Sequence, residues 1–375
     1  MRDSFVIIAN IEWGFLKQRH QYLAEYLHLH GYNVIFIESS AKRNPGLSDI
    51  PRIFSRLFNV VTKQLKRSGT EMGAAKTSGV HVITPIVFPS TFTIFRLLNR
   101  LVFLKFLGRK VKSMLDRGSK VNVLCYLPSS TSLELIDSIN PDKLIYDCVS
   151  NFEGIPSMPK DTVALEQELL RRSDVTLVDY DFLYNKHRYS SDNIHLMEPG
   201  VDFELFSQVV KHKHVRSGIS KVGFFGLISD KIDFDLLELL NSEGYNITMI
   251  GKTQSGISVP SYISVIPAVP IEKLPELLVQ FDALIIPYKK NEYTKGIIPA
   301  KFFECFATGL PIIVTKSDNY KRYEEYLITG NSNKEIVANV KSFSANKDDQ
   351  VQSRLEIAKA HSWDEVIKQF VNVVV

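Results

Sequence analysis

The stretch KGIIPAKFFECFATGLPIIVT, residues 295–315, gathers residue types that hold a phosphorylated ligand. Pro299 suits the first turn of a helix, where its missing N–H costs nothing. The amides of Ile297, Ile298 and the residues after them then point outward at the positive end of the helix dipole, which makes a site for a diphosphate. Lys301 in that turn adds a full charge. Glu304, one turn on along the same side, can accept two hydrogen bonds from a ribose diol. Gly309 and Pro311 end the helix and admit the next strand. An ordinary strand–helix–strand unit with a surface Lys and Glu would carry the same residues, so the surroundings must decide between the two.

Other candidates are scattered. Asp147 closes an apolar strand and is followed by Cys148, Ser150 and Asn151. An acid there, facing a crevice, acts as general base on an acceptor hydroxyl, or it caps amides of the following loop. Glu12, beside the first loop, is the second acid to weigh. That loop, Asn10–Gln18, holds a single glycine, Gly14, and so lacks the G-x-G-x-x-G run of nicotinamide enzymes, which argues against a dehydrogenase. Without those glycines, Glu38 at the end of the second strand reads as structural. Gln18 and Arg19 open the next helix and either face a crevice or stand in solvent. The nine histidines show no H-x-x-x-H or H-x-x-E-H spacing, and HKH (His212–His214) lies in a basic linker. Cys125, Cys148 and Cys305 form no C-x-x-C pair, so neither a disulfide framework nor a metal site is legible.

The elements that must position these residues alternate between strand and helix. Phe5–Ala9 reads as a strand, Gln18–His30 as a helix stopped by Gly31, and Asn33–Glu38 as a strand. Strands follow at Val80–Ile83, Val121–Tyr126, Lys143–Asp147 and Val175–Val178. The rhythm restarts after EPGVDFELF, with strands at Lys221–Gly226, Asn246–Gly251, Ile263–Ile266, Ala283–Pro287 and Pro311–Thr315. Helices at Asp233–Asn241, Ile271–Phe281 and Ala300–Thr308 separate them. Strands spaced by helices imply parallel sheets covered on both faces. A chain of 375 residues suits two such units better than one core. The expected division is a first domain over 1–205, a second over 206–355 and a terminal helix over 356–375, with the ligand in the crevice between the sheets.

Composition is that of a globular protein, 45% hydrophobic and 23% charged. The run Phe5–Ala9 is too short for a signal peptide, and nothing nears the roughly 18–20 apolar residues that span a bilayer. Net charge is +4, yet between residues 41 and 120 sixteen Lys/Arg face three acids (Asp49, Glu71, Asp116). Within that segment FTIFRLLNRLVFLKFLGRKVKSMLDRG (Phe92–Gly118) sets an apolar stripe at positions 94, 97, 98, 101, 104 and 111. Arg96, Arg100, Lys105, Arg109, Lys110 and Lys112 surround it. A basic helix with bulky apolar residues reads as an element for an anionic membrane surface, to which Arg56, Lys63, Lys66 and Arg67 add. A core helix with a solvated basic face is the plainer reading. Stacking aromatics in an RNA-binding pattern are not evident, so no nucleic-acid partner is expected.

Taken with its neighbours, KFFECFATGLP resembles the donor-site signature of GT-B glycosyltransferases of bacterial surface polysaccharides, the teichuronic acid, capsule, O-antigen and xanthan-type enzymes. FLKQRHQYLAEYLHLHGYNVIFIE is similar to their opening segment, LIYDCVSNF to a Y-D-C-V-D-D strand end, and MEPGVDFELF to an N-G-V-D hinge. KVGFFGLISDKIDFDLL is similar to the first strand, glycine turn and helix of their donor domain. HSWDEVIKQF resembles the terminal helix that crosses back onto the N-domain. The resemblance implies an α/β fold of two Rossmann-like domains. It also implies transfer from a nucleoside diphosphate sugar, with UDP the expected carrier, to a lipid-linked or growing glycan. The enzyme would work in the cytoplasm at the inner membrane face, with helix amides and basic side chains in place of a metal ion and no cofactor. It assigns the donor to Gly14, Gly226, Lys231, Ile297, Ile298, Lys301 and Glu304, the acceptor side to Gln18 and Arg19, and catalysis to Asp147 or Glu12. Gly296 stands where retaining members carry a second Glu, and Leu227 follows Gly226 where they place an Arg. Inversion and retention therefore both stay open. A nucleotide-sugar epimerase of this fold, or a silent binding subunit of a polysaccharide assembly complex, is the alternative.

Overall fold

The computed structural model describes residues 3–14, 17–39, 76–77, 79–85, 97, 99–155, 158–212, 218–291, 294, 298–343 and 348–375. Two compact units appear. One comprises Met1–Val178, Tyr184–Leu196 and Val374; the other comprises Asp179–Leu183, Met197–Val373 and Val375.

The first unit is built on eight strands: β1 (Ser4–Ile8), β2 (Asn33–Ile37), β3 (Lys76–Thr77), β4 (Val80–Ile83), β5 (Val121–Cys125), β6 (Lys143–Cys148), β7 (Val175–Val178) and β8 (Ile194–Leu196). Their order is β3-β4-β2-β1-β5-β6-β7-β8, all parallel except the β3 edge. β1 is buried along its whole length, as expected of a parallel strand covered on both faces. The order reverses between β1 and β5, and a crevice beyond the carboxyl ends of strands at such a point is where this architecture holds ligands.

The second unit repeats the plan with β9 (Lys221–Phe225), β10 (Asn246–Ile250), β11 (Ser264–Ile266), β12 (Ala283–Ile286), β13 (Ile312–Val314) and β14 (Leu327–Ile328). Their order is β11-β10-β9-β12-β13-β14, and the reversal falls between β9 and β12. Val222, Phe224, Met249 and Ile285 from the sheet pack with Leu236, Leu240, Ile336 and Val340 from helices Phe234–Ser242 and Asn333–Ser342. Asp233 starts the first of these helices by accepting from the Leu236 amide (3.1 Å), and Ser332 starts the second by accepting from Glu335 (3.2 Å).

Two expected elements differ. The helix expected over Ile271–Phe281 is a 3₁₀ turn, Ile271–Lys273, followed by the short helix Leu274–Leu278. The basic segment holds a π turn, Asn99–Phe103, before helix Leu104–Met114. A π turn advances the chain by more residues per turn, so it shifts the phase of the stripe. Leu104, Leu107 and Val111 are buried, whereas Leu97 is 54% exposed instead of facing inward. Gly108 seats this helix on Ser130–Ile139, since a Cβ there would stand 2.0 Å from the Ser138 hydroxyl. Arg56, Lys63, Lys66, Arg67 and Arg96 lie outside the described residues.

Candidate functional site

In the second unit the candidate donor residues converge at the β9–β12 reversal. Gly226 follows β9 with φ +117°, a conformation that favours glycine, and a Cβ there would lie 2.6 Å from the Lys301 amine. Gly251, which ends β10, presses as closely: its Cβ would stand 1.9 Å from the Gly226 carbonyl oxygen. This second glycine, not singled out in the sequence, keeps the strand ends together. Into the space so opened comes Lys301, whose Nζ donates to the Phe225 carbonyl at 2.5 Å and lies 3.8 Å from the Phe224 ring centroid.

Lys301 begins helix Lys301–Ala307 and Glu304 lies one turn on. Burial lowers the Lys301 ammonium to about 8, against the pull of Cys305 and Glu304. Burial likewise raises the Glu304 carboxyl to about 7, with Lys301 opposing and Asp202 adding to the rise. Among the described residues the Glu304 carboxylate has no hydrogen-bond or ion-pair partner, so its acceptor capacity is unused. Lys231 adds a second cation close enough to push the Lys301 value down further. Two cations and a free acceptor beside a glycine turn can hold a diphosphate and a diol.

The helix start differs from expectation. Ala300 is the residue before the first helical one and Pro299 precedes it, its carbonyl accepting from the Phe302 amide (2.8 Å). Ile298 is 5% exposed and belongs to the core, so its side chain is spent on packing. Ile297 and Gly296 lie outside the described residues.

The motifs around this helix brace it. Phe302, Phe303 and Phe306 are fully buried, and Phe303 stacks on His361 at 3.8 Å between centroids. Arg354, 1% exposed, donates twice to the Gly309 carbonyl (3.2 and 2.9 Å) and so closes the helix end. Glu198 accepts from Tyr323 (2.8 Å) and His361 (3.1 Å), and Gly200 is glycine because a Cβ would meet the Trp363 ring at 2.4 Å. The segments MEPGVD and HSWDE, distant in sequence, are thus clasped together.

In the first unit Asp147 and Arg19 meet each other and not solvent. The Arg19 guanidinium donates to Asp147 Oδ1 at 2.8 Å, with the two residues 6% and 0% exposed. The expectation of an acid open to a crevice, with Arg19 facing it or solvated, is corrected: β6 delivers Asp147 into the interior, and Arg19 supplies the counter-charge a buried carboxylate needs. Nor does Asp147 cap a loop. Burial raises its carboxyl, and Arg19 opposes the rise. His20 packs on Tyr126 with centroids 3.7 Å apart and the rings tilted by 39°, and burial lowers its ring to about 3, so it is neutral. Gln18 precedes the helix and forms a capping box with Gln21, which explains its place without a ligand. Glu12 is partly exposed on the loop after β1. Gly14 sits in an exposed turn where a Cβ would meet nothing within 4 Å.

No family model matches the chain. It is similar to the teichuronic acid biosynthesis glycosyltransferase TuaH of Bacillus subtilis, 24% identical over 97% of this chain and 95% of that one. Among solved structures it is similar to Anabaena HepE in complex with UDP and glucose: 11% identity, TM-score 0.67, covering 100% of this chain and 99% of that one. The lipopolysaccharide outer core galactosyltransferase WaaB in its apo form matches at 10% identity with TM-score 0.66, again over 100% and 99%. With two sheets of Rossmann order and these likenesses in hand, the chain has the GT-B fold.

Proposed function

We propose that the chain transfers a sugar from a UDP-sugar to a lipid-linked or growing surface glycan at the inner face of the cell membrane. The observation that carries the donor half is the meeting of Lys301 and Gly226, with Glu304 one helical turn on, at the β9–β12 reversal. Lys301 and Lys231 balance the charge that develops on the leaving diphosphate, and Glu304 accepts from the ribose hydroxyls. A metal ion is not needed for that neutralisation. HepE and a trehalose-6-phosphate protein of E. coli are described with UDP or UDP-sugars bound, which supports the same donor class here.

The acceptor half rests on helix Leu104–Met114. Val102 and Phe106 are 53% and 58% exposed, and exposed Lys105, Arg109 and Lys112 stand among them. Bulky apolar and basic side chains side by side suit an anionic bilayer surface. Among the described residues no helix is long and apolar enough to cross a membrane. Glu12, a partly exposed acid on the loop after β1, takes the acceptor's proton.

A thermal-shift panel of nucleotide sugars, followed by transfer assays in EDTA, tests this reading. A UDP-sugar at 100 times its Kd should stabilise the protein by ~2.7 kcal/mol. Turnover should persist in the chelator. No shift with any nucleotide sugar would remove the donor assignment, and loss of turnover restored by manganese would remove the metal-free mechanism.

A further inference from the structure

Side chains along a strand alternate between faces, and the end of β6 uses both. Asp147 goes to Arg19, while Tyr146 and Cys148 go to the other face. There they meet Glu166 of helix Thr162–Arg172 and His187 at the end of helix Asp181–His187, and these four residues belong to the first unit. Cys148, Glu166 and His187 are 0%, 1% and 0% exposed. Cys148 Sγ lies 3.6 Å from Glu166 Oε1 and 3.9 Å from His187 Nε2, and those two atoms are 3.8 Å apart. A tetrahedral ion with bonds of about 2.0–2.3 Å holds its ligand atoms about 3.3–3.5 Å apart, so roughly half an ångström of contraction at most closes the triangle.

Cys148 Sγ also lies 3.6 Å from the Ser150 carbonyl, whereas the hydrogen bonding of His187 is incomplete. His187 Nδ1 has no hydrogen-bond partner among the described residues, and Nε2 has only the two long contacts just given. A wholly buried imidazole with neither nitrogen in a normal hydrogen bond is uncommon and calls for a partner. Glu166 Oε1 also accepts from the Tyr146 hydroxyl at 2.8 Å, an outer bond of the kind that orients ligating groups. The neighbouring Lys186 is engaged by Glu153 (3.0 Å) and Asn151 (2.8 Å).

We propose that Cys148, Glu166 and His187 bind one zinc ion that pins two helices to the end of β6. The thiol gives its proton to solvent as the sulfur–zinc bond forms, and thiolate plus carboxylate balance the 2+ charge with no redox change. A sulfur, nitrogen and oxygen set favours zinc over magnesium or calcium. The role is structural and belongs to the first unit, whereas Lys301 and Glu304 belong to the second.

The test uses the untagged full chain. Metal is removed, and Co²⁺ alone is titrated in as the probe. One equivalent should produce thiolate-to-cobalt charge transfer in the near ultraviolet, lost in Cys148→Ser, with affinity weakened at least ~10-fold in His187→Gln. Zn²⁺ should raise the melting temperature of the parent protein and not that of Cys148→Ser. No near-ultraviolet band in folded protein, or the same band in Cys148→Ser, overturns the site. If Cys148→Ser does not fold, alkylation of the Cys148 peptide in the parent protein decides. One equivalent of Zn²⁺ should slow it, and equal rates with and without zinc overturn the proposal.

Discussion

Replacing Lys301 by Arg and Glu304 by Gln should each remove one limb of the pH dependence of nucleotide binding. Burial holds Lys301 at about 8, so the nucleotide-free protein loses this positive charge as pH rises through that value. Glu304, pushed up to about 7, loses its negative charge as pH falls through that value. Binding that needs both charges is therefore strongest between about 7 and 8. Simple titration makes it about sixfold weaker at about pH 6 and at about pH 9 than at about pH 7.5. The two contacts, at ~1.5–3 kcal/mol or about 10–150-fold each, are large enough not to cap that change. Arg stays charged throughout and should flatten the alkaline limb, although its larger head crowds Gly226 and lowers affinity overall. Glu304→Gln has nothing to protonate and should flatten the acid limb. Calorimetric titration with UDP at matched pH reads this directly, and the ligand's own titration cancels between variants. A flat profile in the parent protein, or both limbs surviving in both variants, would refute the reasoning.

Asp147→Asn should cost about 3–5 kcal/mol of stability by leaving the Arg19 guanidinium buried without its carboxylate, and adding Arg19→Met should recover much of it; an unchanged melting temperature in the single variant would count against the buried pair. Glu12→Gln should keep UDP affinity yet lower turnover by about 10²–10⁴, the range for general-base catalysis, and normal turnover would free Glu12 of that role. The protein should sediment with anionic vesicles and less so as salt rises, each basic residue near the surface contributing ~1 kcal/mol; equal sedimentation with neutral vesicles would sink the membrane reading.

Strands were legible as short runs rich in β-branched residues: Val80–Ile83 and Val175–Val178 carry the bounds that the sequence assigns them. Lys301 and Glu304 were legible because three residues of helix place them on one side, a local matter. What could not be read depends on distance in sequence. Arg19 finds Asp147 across 128 residues, and no pattern in either segment announces the pair. The trio of Cys148, Glu166 and His187 escaped because its spacing follows strand and helices that fold together, not one helix face. The phase of the basic stripe failed at Leu97 because a π turn has no sequence signature that a 3.6-residue count registers.

Gly108 gives the basic surface a hidden determinant. With no room for a side chain against Ser138, helix Leu104–Met114 cannot roll about its own axis or lift without losing that seat. The outward print of Phe106, Lys105 and Arg109 is thus stamped from beneath, by a residue that never meets the outside. Gly108→Ala would leave every exposed residue in place and still turn the print, as shifting the block under a seal changes the impression without touching its engraving.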